Sequence, residues 1–260
     1  MKNYRIWGKP PYTVAVVHGG PGAPGGMAPV ARELSSKTGV LEPLQTAHTI
    51  DGQVAELSAV LENHGELPIT LVGWSWGAIL SYITTARYTA LVRKMILIGT
   101  PVLEIKNAAD ISQEWLNRLT EEERAEVFSL EKSIWDGAEE GKNASMGRLF
   151  RLIARADSYH PVPYKDEVLE YQLDINIAVG LEMRKVLAGG GLLELGRQIA
   201  CPVVAIHGDY DTRPAGVVKV PLSRVLKDFK FILLEKCGHE PWREKFAQDR
   251  FYDILKSEVQ

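Results

Sequence analysis

Apolar and β-branched residues gather in short runs along the chain, and each run ends at a turn signal. Thr13–Val17 leads into His18-Gly19-Gly20-Pro21-Gly22, and Ile69–Val72 leads into Gly73-Trp74-Ser75-Trp76-Gly77. Lys94–Ile98 stops at Gly99-Thr100-Pro101, and Val203–Ile206 stops at His207-Gly208-Asp209-Tyr210-Asp211. Phe231–Leu234 ends just before Cys237-Gly238-His239. Runs that are apolar at consecutive positions suit strands covered on both faces, as in a parallel sheet. Tyr4–Trp7 and Val40–Thr46 are weaker strand candidates.

Helical periodicity fills the gaps. It predicts helices over Ala28–Ser36, Gln53–Glu62, Gly77–Arg87, Val217–Leu226 and Glu244–Lys256. Strands alternating with helices imply an α/β fold with right-handed crossovers. The rhythm breaks between about residues 102 and 197, where the strand signals vanish. Thr120-Glu121-Glu122-Glu123 places a hydroxyl at an N-cap and a glutamate three positions on, the pattern of a capping box. It opens a helix expected to run through Ile134 and stop at Gly137. Further helices are predicted near Met146–Ala156 and from Lys165 to Leu187, before the Gly189-Gly190-Gly191 joint. The reading is an α/β core, 1–101 and 198–260, carrying a helical insertion at 102–197.

Composition narrows the class without changing that picture. The 260 residues, 45% hydrophobic and 24% charged, suit one large soluble domain with an insertion. A net charge of −3 recruits neither nucleic acid nor an acidic membrane. Cys201 and Cys237 lack metal-ligand spacing, so two reduced thiols and no bound metal are expected. The N-terminus lacks the apolar stretch of a signal peptide, and no segment approaches a membrane span. A cytoplasmic location is the expectation; oligomeric state is not legible.

Candidate chemistry enters at Gly73-x-Ser75-x-Gly77. Between a strand and a helix this pattern is a nucleophile elbow: a sharp turn that lifts the serine Oγ above the sheet. Glycines flank it because the helix packs close to the neighbouring strand. A serine hydroxyl needs a base, and the base needs an orienting acid. The fold predicts the chain order serine, acid, histidine. Asp209 and Asp211 compete for the acid, and Asp211 sits where its loop can turn back toward a histidine. His239, after the last strand, is the expected base. His18 and His207 read as structural, and His48, His64 and His160 lie outside this order. An oxyanion hole needs backbone donors. The Trp76 N–H is one candidate, and Gly19, then Gly20, supplies the other.

These motifs resemble the α/β-hydrolase superfamily, and HGGPG at 18–22 together with GWSWG at 73–77 resembles its proline iminopeptidase branch. The GDYD at 208–211 and the Gly238-His239 pair fit the same pattern. The resemblance implies an eight-stranded, mostly parallel sheet flanked by helices, a helical cap after the sixth strand, and no cofactor. It assigns Ser75 as nucleophile, Asp211 as acid and His239 as base. The branch's Asp-x-x-Gly-x-Gly-x-Ser loop is absent; the region reads LEPLQTAHTIDGQ instead. Its aminopeptidases bind the substrate amine through glutamates, for which Glu131, Glu139, Glu140, Glu167, Glu170, Asp174, Glu182, Glu240 and Glu244 are candidates. Trp74, Trp76 and Trp242 suggest an aromatic wall for a prolyl ring or a short acyl chain. Trp115 and Trp135 read as packing within the insertion. The expected activity is a serine hydrolase acting on a small ester or on the amide after an N-terminal residue of a short peptide. Other chemistry on the same scaffold (esterase, lyase or perhydrolase), or a ligand-binding protein without turnover, are the rivals.

Overall fold

The computed structural model describes residues 3–104, 111–136 and 141–260. The apolar runs form strands β1 (Tyr4–Trp7), β2 (Tyr12–Val17), β3 (Gly39–Pro43), β4 (Ile69–Trp74), β5 (Val92–Ile98), β6 (Val203–Gly208) and β7 (Phe229–Leu234). They make one sheet in the order β1-β3-β2-β4-β5-β6-β7. Only β1, which pairs with β3, is antiparallel. The described residues thus hold seven strands rather than the eight the resemblance implied, and the helical insertion follows β5.

Alternating residues of the central strands feed two cores. Ala15 and Val17 face one side, where α2 (Ile50–His64), α3 (Trp76–Arg87) and α8 (Ala215–Val225) pack. Val14 and Val16 face the other, covered by α1 (Ala28–Leu34) and α9 (Gln248–Val259). Burial on both faces is why these strands read as continuous apolar runs.

The insertion contains α4 (Ile111–Arg118), α5 (Glu121–Asp136), α6 (Lys142–Ala156) and α7 (Leu173–Ala188). The capping box forms reciprocally: Thr120 N–H donates to Glu123 Oε2 at 2.9 Å, and Glu123 N–H donates to Thr120 Oγ1 at 3.3 Å. The expected stop at Gly137 lies outside the described residues. The helix expected from Lys165 begins only at Leu173. The segment before it instead uses its backbone N–H groups on the core: Val162 to the Arg243 carbonyl, Leu169 to that of Pro24, and Gln172 to that of Gly22. Helix α7 is not confined to the cap. Its stripe Ile175, Val179 and Met183 joins the core beneath α2 and α3. The last helix starts at Gln248, not Glu244, after a short 3₁₀ turn over Pro241–Arg243.

Candidate active site

The C-terminal ends of the parallel strands converge, the edge where open α/β sheets place their sites. Ser75 directly follows β4, Asp211 lies just past β6, and His239 follows β7. Ser75 has φ 52° and ψ −120°, a strained conformation for a residue with a Cβ. Its N–H donates to the Ile98 carbonyl at 3.0 Å, tying the turn to the end of β5. Gly77 allows the turn: a methyl group there would overlap the Val17 carbonyl oxygen, so α3 packs directly against β2.

His239 Nδ1 lies 2.7 Å from Asp211 Oδ2, and the aspartate side chain is fully buried. A carboxylate only accepts, so Nδ1 carries the proton and Nε2 is left as the basic nitrogen. Burial alone would raise the Asp211 carboxyl, but the charges of His239 and Arg213 outweigh it and hold the group well below the usual carboxylate range. Asp209, the rival acid, is exposed and accepts the Cys237 N–H at 3.1 Å. Ser75, His239, Trp74, Gly20 and Glu240 all line one cavity of about 170 Å³. As the first residue of α3, Trp76 has a backbone N–H without an intrahelical acceptor. Gly20 borders the cavity, whereas Gly19 is pressed on the Trp74 ring, 2.6 Å from where its Cβ would stand.

Several aromatic expectations change. The Trp76 side chain is buried in the core, its indole donating to Gln53 Oε1 at 2.8 Å. Trp242, expected at the pocket wall, does not line the cavity. It is 2% exposed, meets Trp74 edge-on at 5.1 Å and packs on Phe251 behind it. Trp115, expected as packing, lines the cavity and lies over the Arg213 guanidinium at 5.3 Å. Trp135 is largely exposed.

The acidic candidates also sort. Glu131 and Glu170 are exposed, and Glu139 and Glu140 lie outside the described residues. Glu167 pairs with Arg32, Asp174 with His48, and Glu182 accepts the Ile50 N–H. Glu244 does not start a helix; its buried carboxylate accepts the N–H groups of Gly238, Tyr159 and His160. The carboxylates at the cavity are Glu240, Asp166 and Asp157. Burial raises the Glu240 carboxyl, and the charge of Arg243 opposes this. Its Oε2 is ion-paired with Arg243 Nη1 at 2.7 Å. Asp157, Asp166, Arg213 and Arg243 escaped the sequence reading. Only Arg213, two residues past the acid, carried a signal.

The buried His18 anchors the glycine loop. Its Nδ1–H donates to the Gly19 carbonyl at 2.7 Å, and Nε2 accepts the Gln45 N–H at 3.3 Å. Burial lowers its pKa from 6.5 to about 4, against the opposing pull of the Gly19 bond. The unfolded chain therefore takes up a proton that the fold refuses between these values. Stability is full above pH 6.5 and falls as pH drops toward 4, by about 3 kcal/mol for this group. Buried His207, also lowered by desolvation, adds to the same slope. Urea midpoints from pH 7 to 4 check this: His18→Asn is expected to flatten the slope, and an unchanged slope would contradict it.

Among the described residues, no group of three or more His, Cys, Asp or Glu could hold a metal ion, and no helix is long and apolar enough to cross a membrane. The fold is shared widely. The structure called VinJ superposes with a TM-score of 0.67 at 18% identity, over 99% of this chain and 95% of that one. The meta-cleavage product hydrolase CumD from Pseudomonas fluorescens IP01 gives 0.65 at 18%, over 98% and 92%. A monoacylglycerol lipase from Paleococcus ferrophilus gives 0.62 at 14%, over 98% and 97%. A search of curated protein sequences finds no match. The family model described as alpha/beta hydrolase fold matches residues 12–241. With that match spanning most of its length, the chain belongs to the α/β-hydrolase fold family.

Proposed function

We propose that the protein is a serine hydrolase working through an acyl-enzyme. The observation that carries this reading is the buried Asp211–His239 pair opening onto the cavity that also holds Ser75. His239 Nε2 takes the Ser75 proton as Oγ attacks the substrate carbonyl carbon. Asp211 holds the imidazole tautomer and stabilises the imidazolium. Backbone N–H groups of Trp76 and of Gly19 or Gly20 receive the oxyanion. His239 then protonates the leaving group, and water, deprotonated by the same nitrogen, releases the acyl chain. A cavity of about 170 Å³ is smaller than the roughly 300–1,000 Å³ typical of drug-sized ligands, which favours a small acyl group. Hydrolases among the chains of similar fold agree with this reaction class.

A second reading, an aminopeptidase of the proline iminopeptidase type, is favoured by one observation. Glu240 directly follows the base, is 8% exposed and lines the cavity beside Ser75 and His239. An ammonium group would share its carboxylate with Arg243. The test compares kcat/KM on prolyl and alanyl arylamides with that on p-nitrophenyl acetate and butyrate. For an aminopeptidase, Glu240→Gln should cut arylamide turnover by roughly 10–100-fold, the size of a lost charge-assisted bond, and spare the acetate ester. Ester turnover alone, insensitive to Glu240→Gln, would leave the esterase reading. No turnover of either would favour a ligand-binding role.

A further inference from the structure

The cap reaches into the acid–base pair at one residue. Asp157 caps the C-terminal end of α6, and its backbone carbonyl accepts the His239 N–H at 2.9 Å. Gly238 allows this approach; a methyl group there would overlap the Asp157 carbonyl oxygen. The Asp157 carboxylate accepts from Thr212 Oγ1 at 2.5 Å and from Arg213 Nη1 at 2.8 Å. The same Arg213 nitrogen lies 3.0 Å from Asp211 Oδ1. One guanidinium nitrogen is therefore shared by a cap carboxylate and the carboxylate that holds His239. Asp157 is 2% exposed, Asp211 4% and Arg213 8%.

Charge decides what this sharing does. Arg213 alone would neutralise Asp211, and an imidazolium forming at His239 would face a buried cluster with no net charge. With Asp157 present, two carboxylates and one guanidinium leave a single negative charge for the imidazolium to meet. In a low-dielectric interior that difference is large. Neighbouring charges stay the same whether or not Asp157 is ionised: the buried Glu244 carboxylate is held by the N–H groups of Gly238, Tyr159 and His160, and Arg118, on the Ala156 and Tyr210 carbonyls, is paired with Glu114. His207, 3.7 Å from Asp211, is held neutral by burial and donates its Nε2–H to the Arg213 carbonyl. Glu240 is offset by Arg243, and burial keeps the Cys237 thiol protonated.

We propose that Asp157 is a positioning residue of the catalytic machinery: by neutralising Arg213 from the cap, it frees the charge of Asp211 for His239, so that turnover requires a seated cap. The role rests on reading Ser75, Asp211 and His239 as the triad.

Phosphonylation by a fluorophosphonate tests it without knowledge of the substrate. Ser75 Oγ attacks phosphorus, fluoride leaves and His239 takes the proton. Second-order rates are measured from pH 5 to 9 for the full chain and its variants, with thermal melts alongside. Asp157→Asn should react about tenfold more slowly at pH 7, the size of one charge-assisted contact, with its acid limb moved to lower pH. Arg213→Met should move that limb to higher pH, whereas Arg213→Lys, which keeps the charge, should leave it in place. The double variant Asp157→Asn/Arg213→Met restores the single negative charge and should react faster than Asp157→Asn alone. A merely structural contact predicts no opposite shifts and no recovery. A reactive wild type whose two single variants shift together, or whose double variant is no faster than Asp157→Asn, would overturn the role of Asp157. If Asp157→Asn does not fold, the limbs of Arg213→Met and Arg213→Lys decide: equal limbs overturn the role. An inert wild type would overturn the triad itself, and this role with it.

Discussion

Ser75→Ala should lower kcat/KM by about 10⁴-fold or more on any substrate the wild type turns over, with the fold intact. The size follows from the chemistry. Without Oγ there is no acyl-enzyme, and what remains is water attack assisted by backbone donors and binding. The fold should survive because alanine keeps the Cβ already accommodated at φ 52°, and the backbone tie from Ser75 N–H to the Ile98 carbonyl is untouched. Melting within a degree or two of wild type, together with lost turnover, is the expected pair of results. Activity retained in a folded variant would mean that another residue attacks.

Asp211→Asn should cost a comparable amount, about 10⁴-fold, because an amide reverses the donor pattern. The Asp211 carboxylate only accepts: Oδ2 from His239 Nδ1, and Oδ1 from the Arg213 backbone N–H at 2.9 Å and Arg213 Nη1 at 3.0 Å. An asparagine NH₂ turned toward His239 would make Nδ1 the acceptor and put the imidazole proton on Nε2. That nitrogen could then no longer take a proton from Ser75. Asp209→Asn is the control. Asp209 is exposed, and its contact is one accepted N–H from Cys237, which an amide oxygen also accepts. Its turnover should stay within about threefold of wild type, as surface substitutions generally do. Similar losses in both variants would remove the distinction between the two aspartates.

The sheet is legible in the sequence because strands buried on both faces leave continuous apolar runs, and each crossover ends the run with glycine or proline. Even the weak candidates at Tyr4–Trp7 and Val40–Thr46 correspond to β1 and β3. The elbow is legible because Gly73 and Gly77 are dictated by local backbone contact. The meeting of His239 with Asp211 follows from the order of strands β6 and β7, which run side by side. The rest depends on tertiary partners that no periodicity records. The stretch before Leu173 carries helical spacing, yet the Gly22, Pro24 and Arg243 carbonyls claim its N–H groups. Trp115 and Trp242 exchange their expected places because a tryptophan looks the same in sequence whether it lines a cavity or backs one. Helix α4, at eight residues, is little more than two turns long and leaves almost no periodicity to read. Asp157 stands at the end of an ordinary amphipathic helix, and nothing in its neighbours announces that α6 points it at Arg213.

The central claim is that Ser75 attacks its substrate covalently. The most direct measurement is the intact mass of the protein after treatment with a fluorophosphonate, followed by peptide mapping. One adduct per chain, located on Ser75 and absent from Ser75→Ala and Asp211→Asn, is the predicted result. Turnover without any adduct, or an adduct on another residue, would contradict it.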